Sequence, residues 1–141
     1  MKINRNASAN WKGTGKEGVG KISTQSTTLD NAQLSFNTRF ADGVGTNPEE
    51  LVGAALAGCI TMKISFVLNA AGFTADNIDT TAKVTLDTEV GKITLIEVNI
   101  AATVPGISEE EFQKAAQFTK ENCIIVLLYN CEIQLNATLV A

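Results

Sequence analysis

The sequence predicts an α+β fold in which helices gather against an antiparallel sheet. Two observations carry this prediction. Alternating apolar residues fill two stretches within 78–104, on either side of Gly91, which is typical of a long β-hairpin. A largely apolar segment over 48–70 carries helix-start signals, and further helical and strand patterns follow the hairpin. The resulting order is strands, helix, two long strands, helices and a final strand.

The chain before the long helix is polar and rich in Gly, Ser, Thr and Asn. Its apolar side chains alternate loosely, and a Gly-rich segment over 13–20 interrupts them. This pattern predicts short strands joined by a loop.

The long helix is predicted from Pro48 to Ala70 by its first residues. Asn47 is a capping residue, Pro48 suits the first helical position, and Glu50 stands three residues after the cap. Small residues dominate 51–58 and allow another backbone to approach closely. The alternative is that these small residues belong to a helix buried in the core of its own chain, which has the same composition. So small a sheet covers such a helix poorly, and we therefore expect an intertwined homodimer.

After the hairpin, Ser108 and Glu111 form a capping box that predicts a second helix. Its buried side is expected to carry Phe112, Ala115, Ala116 and Phe118. A short helix is expected after Cys123, and alternation over 131–140 predicts the last strand. Cys131 opens that strand and is interpreted as a core residue.

Length and charge exclude several classes of protein. A chain of 141 residues suits one domain, 1–141, with a core that needs no disulfide or structural metal. The net charge of −4 comes without a basic run, so we expect no nucleic-acid partner. No signal-peptide region and no run of 18 apolar residues is found, so we expect a soluble cytoplasmic protein with no membrane association.

The chain has no histidine, which excludes Ser-His-Asp and Cys-His catalysis and every histidine-containing metal site. Its three cysteines form no CxxC motif, so neither a zinc ribbon nor a thioredoxin motif is predicted. Chemistry therefore rests on thiols, carboxylates, Arg, Lys or Tyr, and we expect no metal and no cofactor.

Cys59 and Cys123 are the candidate reactive thiols. A free cysteine is most often a small buried hydrophobic residue. A thiol reacts as its thiolate, and its ordinary pKa of about 8.5 falls at a helix N-terminus or beside a guanidinium. Cys123 precedes a predicted helix, and Cys59 would stand at one if the long helix breaks at Gly58.

Arg39 and Glu49 are the candidate activators of a thiol. Arg39, one of only two arginines, lies in the predicted loop before the long helix, where it is either a solvated charge or part of a site. Glu49 either complements the helix dipole or orients Arg39, because Glu50 takes the capping role. Ten residues of helix separate Glu49 from Cys59 by about 15 Å. Either the helix breaks near Gly58, or the carboxylate comes from another subunit.

Several segments, spread over nearly the whole chain, form one pattern: 36–40, 45–55, Gly58-Cys59, Gly72-Phe73, 78–82, 104–107 and Asn122-Cys123. Together these segments resemble the OsmC/Ohr family of osmotically inducible and organic hydroperoxide resistance proteins, and the OsmC branch in particular. It implies antiparallel sheets wrapped around long central helices in an intertwined homodimer. It also implies that Cys59 is the peroxidatic thiol and Cys123 the resolving thiol, with Arg39 stabilising the thiolate and Glu49 as its carboxylate partner.

The activity implied by this resemblance is reduction of organic hydroperoxides, and of hydrogen peroxide, under oxidative or osmotic stress. Cys59 would pass through a sulfenic acid to a Cys59–Cys123 disulfide, which a small dithiol or a lipoyl-type protein would reduce. Phe36, Phe40, Ile60 and Phe66 are expected to hold the alkyl group.

The chain departs from the family pattern at two places. Ile124-Ile125-Val126 follows Cys123 where relatives carry Pro and Ser, and Leu56 stands where relatives of this branch often carry His. The alternatives to a peroxidase are a binding or structural dimer without turnover and a thiol redox sensor.

Overall fold

A computed structural model describes residues 1–140 and confirms the predicted order of elements. The elements are β1 (Ala7–Lys12), β2 (Val19–Thr24), β3 (Ala32–Leu34), α1 (Phe36–Phe40), α2 (Pro48–Ala70), β4 (Asn77–Asp87), β5 (Lys92–Thr103), α3 (Glu109–Asn122), α4 (Ile124–Leu128) and β6 (Glu132–Leu139). The fold is α+β, as predicted.

The chain divides into two compact units, one up to Leu51 and the other from Val52 onward. That the whole chain acts as one domain stays a prediction. In the first unit, β1, β2 and β3 form an antiparallel sheet in that order. Trp11 pairs with Gly20, and a side chain at Gly20 would collide with the indole ring at 2.5 Å. The glycine therefore allows the Trp11 ring to lie flat on its own sheet.

The second unit contains a sheet in the order β4-β5-β6. β4 and β5 form the predicted antiparallel hairpin, with a bulge between Thr85 and Leu86. β6 pairs with β5 in parallel, so the prediction of purely antiparallel sheets is wrong at this strand. The reason is the connection. α3 and α4 lie between the two strands and supply the long crossover that parallel neighbours require.

The core of the second unit combines one stripe of α2, alternate residues of β5 and one side of α3. Its most buried members are Leu56, Ile60, Ile64, Leu68, Ile96, Val98, Ile100, Ala102, Phe112 and Ala116. The four-residue spacing in α2 and the two-residue spacing in β5 are the periods at which a helix and a strand present one face. α2 is thus anchored along its length by a single stripe.

Local capping signals were mostly predicted correctly. Ser108 and Glu111 form the expected capping box, and Asn47 accepts a hydrogen bond from the Glu50 amide at 2.7 Å. The Glu50 carboxylate instead accepts from the Thr46 hydroxyl at 2.7 Å, so its predicted return bond to the cap is wrong. Phe118 is also corrected: it is 50% exposed, and Thr119 takes the buried place because it completes the helical period with Ala115 and Ala116.

By length and composition alone, α2 is apolar enough to cross a membrane. The core helix of a soluble protein passes the same test, so this is weak evidence for a membrane span. The fully buried residues of α2 belong to the core described above, which accounts for its apolar character.

We expect Phe112→Ala to lower the free energy of unfolding by about 3–5 kcal/mol, because the fully buried ring would leave a cavity. Phe118→Ala, on the same helix but half exposed, is the matched control and should cost roughly 0.5 kcal/mol. Denaturant unfolding at one fixed protein concentration measures both. Equal losses for the two variants would contradict the assignment of the buried face.

Candidate active site

Cys59 of α2 and Cys123, at the junction of α3 and α4, are joined by a disulfide. Their Cα atoms are 6.4 Å apart, within the range of about 4.4 to 6.8 Å that a disulfide requires. Sixty-four positions separate the two cysteines, so the fold and not local sequence brings them together. The pairing that the family resemblance implies is present in the structure.

The two cysteines of this disulfide differ in exposure. Cys123 is completely buried, whereas Cys59 is partly exposed at the edge of the core. Cys123 ends α3 by donating its backbone amide to Thr119 O at 2.9 Å, and it also begins α4. A molecule in solvent therefore meets Cys59 first.

In the first unit, Arg39 and Glu49 form an ion pair, as the sequence predicts. The Arg39 Nε and Nη2 atoms donate to Glu49 Oε1 at 3.0 and 2.9 Å. The Arg39 side chain is 46% exposed and that of Glu49 13%, so solvent screens the pair on the arginine side. Glu49 Oε2 is buried and has no hydrogen-bond partner among the described residues.

The segment that carries Arg39 is a short helix, which corrects its predicted place in a loop. α1 begins at a capping box in which Ser35 and Thr38 exchange hydrogen bonds of 2.8 and 3.1 Å. Asn47 Nδ2 then donates to Thr38 O at 2.9 Å and ties this helix to the start of α2. Arg39 thus lies on a short, capped helix that a hydrogen bond joins to the start of α2, the helix that carries Glu49.

The helix α2 continues from Pro48 to Ala70, the predicted bounds, so the break near Gly58 that was one of two alternatives is absent. Gly58 is exposed, and nothing lies within 4 Å of where its Cβ would be. No contact within the chain therefore requires a glycine at this position. Of the two alternatives for bringing Glu49 to a thiol, the helix break is therefore wrong for this chain.

A cavity of about 300 Å³ lies beside Arg39 in the first unit. Phe36 and Phe40, two of the four residues predicted to hold an alkyl group, line it with ring centroids 4.9 Å apart. Trp11, Leu34 and Pro48 also line it and were missed, because sequence alternation does not show which strand residues face a cavity. The prediction that Ile60 holds an alkyl group is wrong, because Ile60 is fully buried in the core of the second unit. Phe66, the fourth of these residues, also lies in the second unit and is 67% exposed.

The third cysteine, Cys131, is free and packs half-buried against the core, as its core interpretation predicts. Burial raises the pKa of the Cys131 thiol. The pKa of Tyr129 is also raised, first by burial and then by the charge of Cys131. The Tyr129 hydroxyl donates to Val52 O at 2.9 Å, so this tyrosine has a structural partner.

An α+β chain with a disulfide between a partly exposed and a buried cysteine has the features of a dithiol redox protein. The chain belongs to the family of OsmC-like proteins, whose family model matches residues 41–138. This confirms the resemblance found in the sequence.

Two relatives and two solved structures illustrate the family. The chain is 43% identical over 138 residues to proteins named Peroxiredoxin OsmC from Escherichia coli K12 and from Shigella flexneri, a match that covers 96% of each chain. An OsmC-like protein from Mycoplasma pneumoniae superposes with a TM-score of 0.77 at 17% identity and full coverage of both chains. The organic hydroperoxide resistance protein OhrB of Bacillus subtilis gives 0.66 at 22% identity, covering 94% of this chain and 98% of that one. These two structures establish the shared fold.

In the oxidised protein we expect one titratable thiol, that of Cys131, and slow labelling of it by a charged aromatic disulfide at pH 7. Because burial raises its pKa, the thiolate is scarce at neutral pH and the labelling rate should keep rising with pH beyond the range of an ordinary thiol. Cys131→Ser should show no labelling, and the reduced unfolded chain should show all three thiols. Fast labelling at pH 7 would contradict the assignment.

Proposed function

We propose that the protein is a cysteine-based peroxidase that reduces organic hydroperoxides to alcohols at the expense of a dithiol reductant. The observation that carries this function is the Cys59–Cys123 disulfide in a member of the OsmC-like family. The relatives named peroxiredoxins and organic hydroperoxide resistance proteins support the same reaction.

The difference in exposure supports different roles for the two sulfur atoms in this proposal. The thiolate of Cys59, partly exposed, attacks the outer oxygen of the hydroperoxide. The O–O bond breaks, the alkoxide takes a proton and leaves as alcohol, and Cys59 becomes a sulfenic acid. The buried Cys123 thiol then displaces the hydroxyl as water and forms the disulfide. A dithiol reductant returns both cysteines to thiols and becomes a disulfide itself.

Arg39 and Glu49 are the groups that activate Cys59 in this proposal. A guanidinium stabilises a thiolate and the developing negative charge of the leaving oxygen. Glu49 occupies Nε and Nη2 of Arg39 through one oxygen and so fixes the orientation of the guanidinium plane. Arg39 also lies 5.3 Å from the Phe40 ring, at the wall of the cavity that would hold the alkyl group.

The unbroken α2 favours a site completed by a second copy of the chain. A carboxylate and a thiol ten residues apart on one continuous helix are separated by about 15 Å, which is too far for one small site. The exposed residues Ala55, Gly58, Met62 and Phe66 recur at helical spacing on α2 and form a face for another helix. The buried, unpartnered Oε2 of Glu49 is a further sign that a group from outside the chain completes the site.

Repeated reduction of the disulfide requires a reducing compartment, so we place the protein in the cytoplasm. A redox sensor is the second candidate function, and one observation favours it. Next to Cys123, α4 exposes Ile124, Leu127 and Leu128, each more than 70% accessible, in a patch suited to a partner protein. A sensor would oxidise rapidly and turn over slowly.

We expect purified protein to consume an organic hydroperoxide with a dithiol reductant, and Cys59→Ser to abolish turnover. Cys123→Ser should keep the first oxidation but lose most turnover, because the sulfenic acid on Cys59 then has no Cys123 thiol with which to form the disulfide. Cys131→Ser is the matched control and should retain wild-type rates, since Cys131 takes no part in the disulfide. Single oxidation without turnover in the wild type would select the sensor, and turnover unaffected by Cys59→Ser would overturn both.

A heterodimer of one Cys59→Ser chain and one Arg39→Ala chain tests the cross-subunit site. If Arg39 serves the partner's thiol, one of two sites is intact and activity per dimer should be about half that of wild type. If Arg39 serves its own chain, neither site is intact and activity should match the two inactive parent homodimers. Two affinity tags isolate the heterodimer, and a monomer by sedimentation would overturn the dimer itself.

A further inference from the structure

We propose that Asn47 is the positioning residue of the Arg39–Glu49 ion pair, because its side-chain amide links the end of α1 to the start of α2. This role goes beyond helix capping, which several other residue types could supply. Its consequence for catalysis rests on the proposed function, whereas its effect on the ion pair does not. Three observations support it, all within the first unit of the chain.

The first observation is that one side chain serves two helix ends. Asn47 Nδ2 donates to the Thr38 carbonyl of α1 at 2.9 Å, and Asn47 Oδ1 accepts from the Glu50 amide of α2 at 2.7 Å. Carbonyls at the end of a helix and amides at the start of one lack a partner within their own helix. Each bonded residue is the sequence neighbour of one member of the ion pair, Arg39 or Glu49. The two bonds therefore fix the backbone beside both members.

The second observation is the chemistry of the Asn47 side chain. Asp and Ser cap a helix about as well as Asn, because capping needs only a side-chain oxygen. The bond to the Thr38 carbonyl needs a donor as well, and an amide carries a donor and an acceptor side by side, which an ionised carboxylate does not. Both partners are backbone groups, so they also fix which way the amide points. The link, and not the cap, therefore requires asparagine.

The third observation is that the linker between α1 and α2 packs against its surroundings. An added Cβ at Gly43 would stand 2.8 Å from the backbone of α1. Gly45 has a φ of +138°, and an added Cβ there would collide with the Gln33 carbonyl of β3. The same carbonyl accepts from the Thr46 amide at 2.9 Å. Asn47 thus follows a linker that is held against both α1 and β3.

The exposure of the ion pair explains why it needs this support. The Arg39 side chain is 46% exposed, and an ion pair so exposed is weak, because solvent screens it and long side chains lose freedom in forming it. Its orientation therefore depends on the backbone that carries Arg39 and Glu49, which Asn47 fixes. In the proposed reaction, a guanidinium out of position would stabilise the thiolate and the leaving oxygen less.

Nuclear magnetic resonance tests the link without turnover, because the chain has only two arginines and therefore two Nε–H signals. Arg5→Lys identifies the signal of Arg39. Arg39 Nε donates to Glu49 at 3.0 Å, so its hydrogen should exchange with water more slowly than that of the exposed Arg5. The exchange rate of the Arg39 Nε–H then measures how firmly the ion pair is held.

Two substitutions at Asn47 separate the link from the cap. Asn47→Ser keeps a capping oxygen but cannot maintain the amide link, whereas Asn47→Ala removes cap and link together. Each should speed the Arg39 exchange about three- to tenfold, the effect expected for loss of one hydrogen bond. Only Asn47→Ala should clearly lower the unfolding temperature. The matched control is Thr46→Val, which removes the neighbouring bond from the Thr46 hydroxyl to the Glu50 carboxylate and should leave the exchange unchanged.

Turnover gives the second readout. With an organic hydroperoxide and a dithiol reductant, Asn47→Ser and Asn47→Ala should lower kcat/KM equally, by about ten- to a hundredfold, although only one of them loses its cap. Unchanged Arg39 exchange in Asn47→Ser, or losses of activity that follow the unfolding temperature, would overturn the role of Asn47. If the wild type shows no Cys59-dependent turnover, the proposed function is overturned instead, and the exchange measurement still decides the role of Asn47.

Discussion

The uninterrupted course of α2 is the constraint on which the candidate site depends. Four fully buried residues spaced by four positions anchor this helix in the core, and Cys59 immediately precedes one of them, Ile60. A kink that moved Cys59 would also displace these buried residues, so core packing fixes the position of the thiol. Glu49, in the first turn of the same helix, is oriented instead by the short helix α1 through Arg39 and Asn47. The helix α2 thus carries two candidate site residues that are positioned independently, Cys59 by the core and Glu49 by α1.

Polar groups around the ion pair show how a small chain positions a charge without deep burial. Ser35 caps α1 by accepting from the Thr38 amide, and Asn47 bonds to the backbone of Thr38 and of Glu50. Such side-chain to backbone bonds suit short helices that propensity alone would not sustain. The Thr46 hydroxyl also donates to the Glu50 carboxylate. The result is a guanidinium that is half exposed, and so reachable from solvent, yet restricted in orientation by its carboxylate partner.

Features set by local sequence were predictable, and features set by distant contacts were not. The bounds of α2, the hairpin and the capping box at Ser108 follow from periodicity and caps, which act within a few residues. The parallel pairing of β6 depends on the path of the intervening helices, and α1 depends on the bond from Asn47. Gly58 resembled a helix breaker, but a glycine in an exposed position costs too little to interrupt a helix anchored by its core.

Within the candidate site, the pairing of Arg39 with Glu49 was predictable for two reasons. The chain has only two arginines, and the capping role predicted for Glu50 left the Glu49 carboxylate available for another partner. The cysteine pairing came from family resemblance, since spacing alone does not choose between three thiols. The place of Trp11 in the wall of the cavity beside Arg39 was not predicted, because only the folded strands create that cavity.

The complete burial of Cys123 has a kinetic consequence. An incoming reductant thiolate reaches only the sulfur of Cys59, which in the proposed reaction is also the atom that the peroxide oxidises. Oxidant and reductant must therefore visit one entrance in alternation, which is the condition for ping-pong kinetics. An excess of either molecule then competes with the other's half-reaction, and the working rate of the protein depends on the balance between the two in its surroundings.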